Sequence, residues 1–167
     1  MAEIKQTERA ARALHLAMDY CRKYRHEFVL PEHLLLAMMQ DDSFVRILNI
    51  FYSPDKLTDS LYARITEVES VPGGEDYEPE ASAQLGQVIE FACQQVYNSS
   101  SKALDIPHLV MGILQLEESW ACYLLKDALF NKESNFMSQL ISIYEFEDHL
   151  KEDTGEYKAD EAWKHLV

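Results

Sequence analysis

One pattern of helix starts and apolar residues occurs twice in this chain, and no other feature restricts the fold as strongly. Sliding the first half onto the second so that His33 meets His108 also pairs Leu34 with Leu109 and Gln40 with Gln115. We call this alignment the repeat register. With one more residue of shift, further pairs align: Ser43 with Ser119, Phe44 with Trp120, and Leu48 with Leu124. Repeated helical units each leave an apolar face that only a neighbouring unit can bury. We therefore predict an all-α fold in which two tandem four-helix repeats pack about a pseudo-twofold axis.

Helix-start residues divide each half into four helices. Thr7 and Asp105 are of the types that cap helix N-termini, and Pro31 and Pro54 stand where a first-turn proline is favoured. Apolar residues spaced three and four apart follow these starts, as amphipathic helices require. We place the first repeat at residues 1–69 and the second at residues 83–145.

The two remaining segments are acidic. Residues 70–82, with the sequence SVPGGEDYEPEAS, are rich in proline, glycine and acids, which predicts an exposed, flexible linker. Residues 146–167 are also acidic and predict a solvated helix end or tail, or the start of a linker to further modules. The more apolar ending EAWKHLV indicates a chain that continues beyond this point.

Composition excludes several classes of partner and compartment. The net charge of −14 disfavours nucleic acid, whose phosphates need clustered Lys and Arg, and it disfavours anionic membrane surfaces. No apolar run reaches the roughly 18 residues of a membrane span. An odd number of cysteines (Cys21, Cys93 and Cys122) and no signal peptide favour reduced thiols and a cytoplasmic location.

No pattern of catalytic or cofactor-binding residues is evident. The phosphate loop GxxxxGK[ST] and the metal motif HExxH are both absent. His33 and His108 recur at equivalent helix starts, which favours a structural role over a ligand role. We expect no catalytic residue, no metal and no cofactor in this chain. A small helical hydrolase using Cys21 or a His–Glu pair stays open as an alternative.

Two glutamates point to a docking surface. Glu27 and Glu32 bracket the apolar loop Phe28, Val29 and Leu30 in an otherwise basic stretch. An apolar patch with a charged rim is the usual form of a protein–protein contact. We therefore expect both glutamates to be exposed and to contact a partner.

Two stretches resemble the N-terminal domain of the ClpA family of AAA+ unfoldases. RHEFVLPEHLLLAMMQ, residues 25–40, carries the family's Arg-His-Glu-Phe step followed by Glu-His-Leu-Leu-Leu-Ala. DIPHLVMGILQLEESWACYLL, residues 105–125, resembles the second Clp repeat of that domain. The resemblance covers about residues 7–144. The sibling ClpB and ClpC families share the double repeat but usually lack the Arg-His-Glu-Phe step.

The resemblance implies a regulatory docking domain of a chaperone used in ATP-dependent proteolysis. Absent ATPase modules would bind ATP and magnesium and pass unfolded or tagged substrates to the ClpP protease. The domain itself would receive a ClpS-like adaptor, and the residues that match by position are Glu27, Glu32 and, more loosely, Ser82. One departure is Leu30, where relatives often carry a threonine cap. A stand-alone Clp-N scaffold protein is the alternative within the family.

Overall fold

The computed structural model describes residues 4–74 and 76–154 of the 167-residue chain. That part forms eight helices and two short strands, with the following bounds: α1 Glu8–Lys23, β1 Phe28–Val29, α2 Pro31–Met38, α3 Asp42–Phe51, α4 Pro54–Ile65, β2 Glu80–Ala81, α5 Ala83–Asn98, α6 Ile106–Gln115, α7 Trp120–Leu129 and α8 Glu133–Thr154. The all-α prediction is confirmed. The part of the predicted tail beyond residue 154 lies outside the described residues.

The helices begin where the sequence predicts. Thr7 Oγ1 accepts the N–H of Ala10 at the start of α1, and Asp105 Oδ1 accepts the N–H of Ile106 at the start of α6. Pro31 and Pro54 each occupy the first turn of a helix, where the missing N–H leaves no bond unmade. The last helix, α8, continues through residue 145 to Thr154, so the described start of the acidic segment is a helix end.

The two repeats, α1–α4 and α5–α8, share one core. Within each repeat the first helix packs on the second, and across the repeats α3 packs on α8 while α4 packs on α7. The aromatic rings of Phe44 and Phe51 both meet the ring of Phe136 edge-on, at centroid distances of 5.9 and 5.7 Å. Neither repeat therefore encloses its own apolar surface.

Backbone pairing is also exchanged between the repeats. Strand β1 runs parallel to β2, and the N–H of Ser82 donates to the carbonyl of Val29 over 3.0 Å. A second parallel bridge joins Gln6 to Leu104, and the N–H of Thr7 donates to Leu104 over 2.9 Å. The repeat register places Val29 on Leu104 and Thr7 on Ser82, so the two bridges are equivalents.

This pairing corrects the prediction that the whole of residues 70–82 is an exposed, flexible linker. Its last residues form β2 and the N-cap of α5, because the N–H groups of Glu80 and Ser82 bond to the carbonyls of Glu27 and Val29. Glu80 and Ala81 are exposed, yet Pro79 beside them is buried.

The close packing of α5 on α6 has a cause that is visible in the sequence. A Cβ added at Gly112 of α6 would clash with the backbone carbonyl oxygen of Val88 and stand 3.0 Å from its Cγ1. Only glycine allows these two backbones to approach so closely. Gly86 lies two residues before Val88 on α5. A Cβ added at Gly86 would have no neighbouring heavy atom within 4 Å.

We expect opposite effects from alanine at these two helical glycines. Gly112→Ala should lower the free energy of unfolding by about 1–3 kcal/mol, the usual range for overpacking a rigid core. Gly86→Ala should raise it by about 0.5–1 kcal/mol, because alanine limits the unfolded chain and favours the helix. Urea melts of the two variants measure both, and a stable Gly112→Ala would contradict the α5–α6 packing.

Candidate functional site

The site begins where α1 ends. Arg25 adopts a left-handed conformation with φ 53°, its N–H donates to Arg22, and the N–H of His26 reaches back to Cys21. This is a Schellman motif, which closes a helix and turns the chain sharply. The turn directs the His26 side chain into the protein. Ser100, the equivalent of Arg25 in the repeat register, repeats the conformation with φ 56°.

Two buried histidines connect this turn to α2. The Nδ1 of His26 lies 3.0 Å from the Nε2 of His33, and the N–H of Leu30 donates to the Nδ1 of His33 over 2.8 Å. Since that Nδ1 accepts, a neutral His33 carries its proton on Nε2 and donates it to His26. Burial lowers the pKa of both rings, that of His33 to about 4, with the neighbouring His26 adding to the effect.

The second repeat contains the same arrangement, with a serine hydroxyl in place of the second histidine ring. His108 Nδ1 accepts the N–H of Asp105 over 2.9 Å, and its Nε2 lies 3.2 Å from the hydroxyl oxygen of Ser101. The prediction of histidines that bond locally at helix starts is therefore confirmed in both repeats. In each repeat the histidine holds the loop before the second helix in place.

The loop held by the histidine pair carries an exposed surface. Glu27 is exposed, Phe28 is 42% exposed, and the next residue, Val29, is buried, as expected for alternate residues of a strand. Beside them lies β2, followed by the half-buried Ser82. We call the surface formed by Glu27, Phe28, Glu80, Ala81 and Ser82 the ladder face.

Ser82 differs from its equivalent in the first repeat. Both residues cap a helix, since Ser82 Oγ accepts the N–H of Leu85 as Thr7 accepts that of Ala10. The Thr7 hydroxyl also donates to Asp105 over 2.9 Å. At the position equivalent to Asp105 stands Leu30, which has no acceptor in its side chain. The Ser82 hydroxyl consequently finds no acceptor within the described residues.

Glu32 does not lie beside Glu27 on this face, and the expectation that it is exposed is wrong. Its side chain is buried, with 7% of the residue exposed, and its Oε2 accepts the N–H of Ala121 over 3.3 Å. The N-terminus of α7 covers the first turn of α2, so the carboxylate lies where a helix dipole favours negative charge. Burial raises the pKa of Glu32 against the lowering effect of that bond and of Arg64. Partner binding by Glu32 stays a prediction.

Sequence reasoning named Glu27 and Ser82 as candidate partner-binding residues, and the structure brings both onto the ladder face. It did not single out Glu80 or Ala81. The repeat register does contain information that predicts the pairing of this segment. The same alignment that pairs the histidines sets Ala81 opposite Gln6, and both precede a capping hydroxyl.

One of the two forms of the hydrolase alternative, catalysis by Cys21, lacks an accessible thiol. Cys21 is buried, its thiol donates to the carbonyl of His26 over 3.1 Å, and burial raises its pKa to about 11. Such a thiol is not a nucleophile at neutral pH. Within residues 4–74 and 76–154 no group of three His, Cys, Asp or Glu side chains is placed to hold a metal ion. In the same part of the chain no helix is both long and apolar enough to span a membrane.

Comparison with known proteins gives a family match over most of the chain. The model of the Clp repeat (R) N-terminal domain matches residues 5–128. The chaperone protein ClpB of Porphyromonas gingivalis is 28% identical over 125 residues, which are 73% of this chain and 14% of ClpB. The chain thus spans a small fraction of the length of this curated relative.

Solved structures share the fold at low sequence identity. The Hsp104 N-terminal domain from Candida albicans has a TM-score of 0.70 and 16% identity, with 84% of this chain and 91% of that one covered. A ClpV N-domain in complex with a VipB peptide has a TM-score of 0.51 and 15% identity, with coverages of 83% and 97%. At these identities the likeness concerns the fold.

The histidine pair should make the domain sensitive to acid. A histidine whose pKa is lowered on folding binds fewer protons in the native state, so stability is full above the unfolded pKa and is lost as the pH falls towards the folded one. We expect the free energy of unfolding to fall between pH 6.5 and about 4, with His33 contributing up to about 3 kcal/mol. Urea melts at each pH measure this.

His33→Asn is the variant that isolates the effect. The asparagine oxygen can accept the Leu30 N–H in place of Nδ1, so the loop bond survives while the titrating ring is lost. The variant should be less stable at pH 7 and show a flatter pH dependence. His15→Gln, at an exposed position on α1, is the control and should retain the slope of the parent. If the free energy of unfolding depends on pH equally in all three proteins, the histidine pair does not cause the acid sensitivity.

The two glutamates should now respond differently to reversal of charge. Glu27→Lys should change the free energy of unfolding by no more than about 0.5 kcal/mol, as exposed substitutions do. Glu32→Lys should lower it by about 3 kcal/mol or more, because an unpaired cation would be buried against the N-terminus of α7. Thermal or urea melts compare them directly, and similar melts would contradict the burial of Glu32.

Proposed function

This chain belongs to the Clp repeat N-terminal domain family, and from that premise we propose that it docks adaptors and substrate proteins for a Clp-type ATPase. The observation that carries the proposal is the ladder face. It presents an acid at Glu27, an aromatic ring at Phe28 and the spare hydroxyl hydrogen of Ser82 on one hydrogen-bonded strand pair. Such a surface suits a partner that offers a cation, an apolar side chain and an acceptor.

The finer proposal is a ClpA-type domain whose adaptor is ClpS-like. The Arg25–Phe28 step and the resemblance of both repeats support this subtype. The ladder face supports an adaptor site at Glu27 and Ser82. Buried Glu32 would contribute indirectly, because its bond to Ala121 holds α7 against the start of α2. That a ClpV N-domain of the same fold is complexed with a VipB peptide supports peptide docking by such domains.

The rest of the proposed machine lies outside this chain. On the proposal, ATPase modules that bind ATP and magnesium follow the domain, act in the cytoplasm and transfer substrates to ClpP. A stand-alone Clp-N scaffold protein is the second candidate, supported by the self-contained core of the described residues. Reading the gene downstream separates the two, since a GxxxxGK[ST] phosphate loop is expected only in the first.

Adaptor binding tests the ladder face. We expect Glu27→Lys to weaken the binding of purified, fluorescently labelled ClpS at least tenfold, because reversal of a charge places like charges against each other. Ser82→Ala should weaken it less, since about 0.5–1.5 kcal/mol is the net value of one hydrogen bond. Fluorescence anisotropy titrations at fixed ionic strength give the dissociation constants.

Glu90→Lys provides the matched control. It makes the same change of charge at an exposed position of α5, away from the ladder. If Glu27→Lys and Glu90→Lys reduce ClpS affinity equally, only the net charge matters, and the ladder face is not the docking site.

A further inference from the structure

The outer side of α7 exposes aromatic rings that the core does not use. Trp120, Tyr123 and Phe130 are three of the eight large apolar residues that are exposed in the described part of the chain. The spacing of Trp120, Tyr123 and Asp127, three and then four, places these side chains on one side of the helix, and Phe130 follows at its C-cap. We call the surface formed by these four residues the α7 face. Clustered exposed apolar side chains of this kind mark interaction sites.

Phe130 is held in a conformation that suits glycine. It ends α7 with φ 51° and ψ 59°, and its N–H donates to the carbonyl of Lys126 over 3.0 Å. A left-handed backbone costs free energy in a residue with a Cβ, and glycine is the usual residue at such a helix end. The residue is 78% exposed, so burial of the ring offsets little of that cost. A strained residue that does not serve the core is a candidate for a binding role.

A cavity beside the α7 face carries negative charge. It has a volume of about 410 Å³, and its lining includes the rings of Tyr123 and Phe130 and three acids, Glu117, Asp127 and Glu133. The basic residue of the lining, Lys126, has its Nζ 3.5 Å from Glu117 Oε1, which neutralises that acid. Asp127 and Glu133 form no ion pair within the described residues. The cavity therefore offers two free carboxylates next to two aromatic rings.

The chain contains an internal example of what binds to such a surface. The guanidinium carbon of Arg64 lies 3.9 Å from the centre of the Trp120 ring, and Arg64 Nη1 pairs with Glu67 over 2.7 Å. The negative face of an aromatic ring attracts a cation, and a planar guanidinium stacks on it. Trp120 meets Tyr123 edge-on at a centroid distance of 5.5 Å. No cation of the described residues lies over the ring of Tyr123 or of Phe130.

We propose that the α7 face and its cavity bind a basic segment of a partner protein. One arginine or lysine side chain of the segment stacks on the ring of Tyr123 or Phe130. Its charge pairs with Asp127 or Glu133, which no basic residue neutralises. The net charge of −14 attracts such a segment from a distance. This rests on the proposed docking function and adds to it a second surface, which shares no residue with the ladder face.

Peptide binding to the full chain tests the proposal. The probe is a dye-labelled, acetylated and amidated peptide with three arginines between Gly-Ser flanks. Its control carries citrulline, the uncharged analogue of arginine, at the same positions. In anisotropy titrations at physiological ionic strength, wild-type protein should bind the arginine peptide saturably and the citrulline peptide about tenfold more weakly or less. An absence of saturable binding, or equal affinity for the two peptides, would overturn the proposal.

Phe130→Gly isolates the contribution of the strained ring. Glycine adopts φ 51° without strain, so a urea melt should show no loss of stability, while affinity for the arginine peptide should fall about fivefold or more. Phe146→Ala removes another exposed ring, on α8, and is the matched control that should bind the peptide as wild type does. If Phe130→Gly binds the arginine peptide as tightly as the control does, the proposed stacking is wrong.

Asp127→Asn isolates the contribution of charge. The asparagine side chain cannot neutralise a guanidinium, so affinity for the arginine peptide should fall about fivefold. Glu90→Gln removes the same charge at an exposed position of α5 and should leave the affinity near that of wild type. Equal weakening in the two variants would mean that only the net charge attracts the peptide, and the α7 face would not be its site.

The two docking proposals fail separately. Phe130→Gly and Asp127→Asn should bind ClpS as wild type does, and Glu27→Lys should bind the arginine peptide no more weakly than Glu90→Lys. Weaker peptide binding in Glu27→Lys than in Glu90→Lys would place the peptide on the ladder face and overturn the α7 site. If the α7 variants lose the peptide while Glu27→Lys keeps its affinity for ClpS, the α7 face is supported and the ladder face is not.

Discussion

The rest of the structure depends on an exchange of backbone hydrogen bonds between the two repeats. The residue that caps the first helix of each repeat donates its N–H to the loop before the second helix of the other: Thr7 to Leu104 and Ser82 to Val29. A shift of either repeat would break both bonds and expose the shared apolar core around Phe136. Because the bonded residues are also helix caps, the exchange sets the position of α1 and α5 as well. The ladder face is therefore bonded across the two repeats, although it is built from a loop and a linker.

Much of this architecture is visible in the sequence, because duplication and helix capping are local patterns. The repeat register aligns the histidines, and the caps and prolines mark the helix starts to within about one turn. The exchanged strands escaped prediction because each is too short to show alternation, and its partner lies in the other repeat. The burial of Glu32 escaped for a related reason. Its neighbour Ala121 is also far away in the chain, and nothing near Glu32 signals that a helix N-terminus will cover it.

The candidate site was predicted in part, and the error follows a physical rule. Glu27 and Glu32 look alike in sequence, but a strand precedes Pro31 and a helix follows it. Glu27, on the strand side of Pro31, projects from the edge of the ladder. Glu32 lies in the first turn of α2, which directs its side chain towards α7. Charge alone does not separate an exposed docking acid from a buried one that binds backbone N–H groups. The distinguishing information is the packing of α7 on α2 and α4.

Duplication offers this chain two copies of every surface, and the copies differ in polar contacts while most of the core positions stay apolar. In one copy of the ladder, Thr7, Asp105 and Arg9 are joined by short hydrogen bonds, with 2.6 Å between Arg9 Nη2 and Asp105 Oδ2. Burial opposes ionisation of Asp105, but the bonds from Arg9 outweigh it and lower its pKa. The equivalents in the other copy are Ser82, Leu30 and Gln84, which make no such network, so polar groups stay available there. Core positions are held by packing on both sides, whereas each outer surface is free to change, and a duplicated fold can therefore keep one copy for stability and use the other for binding.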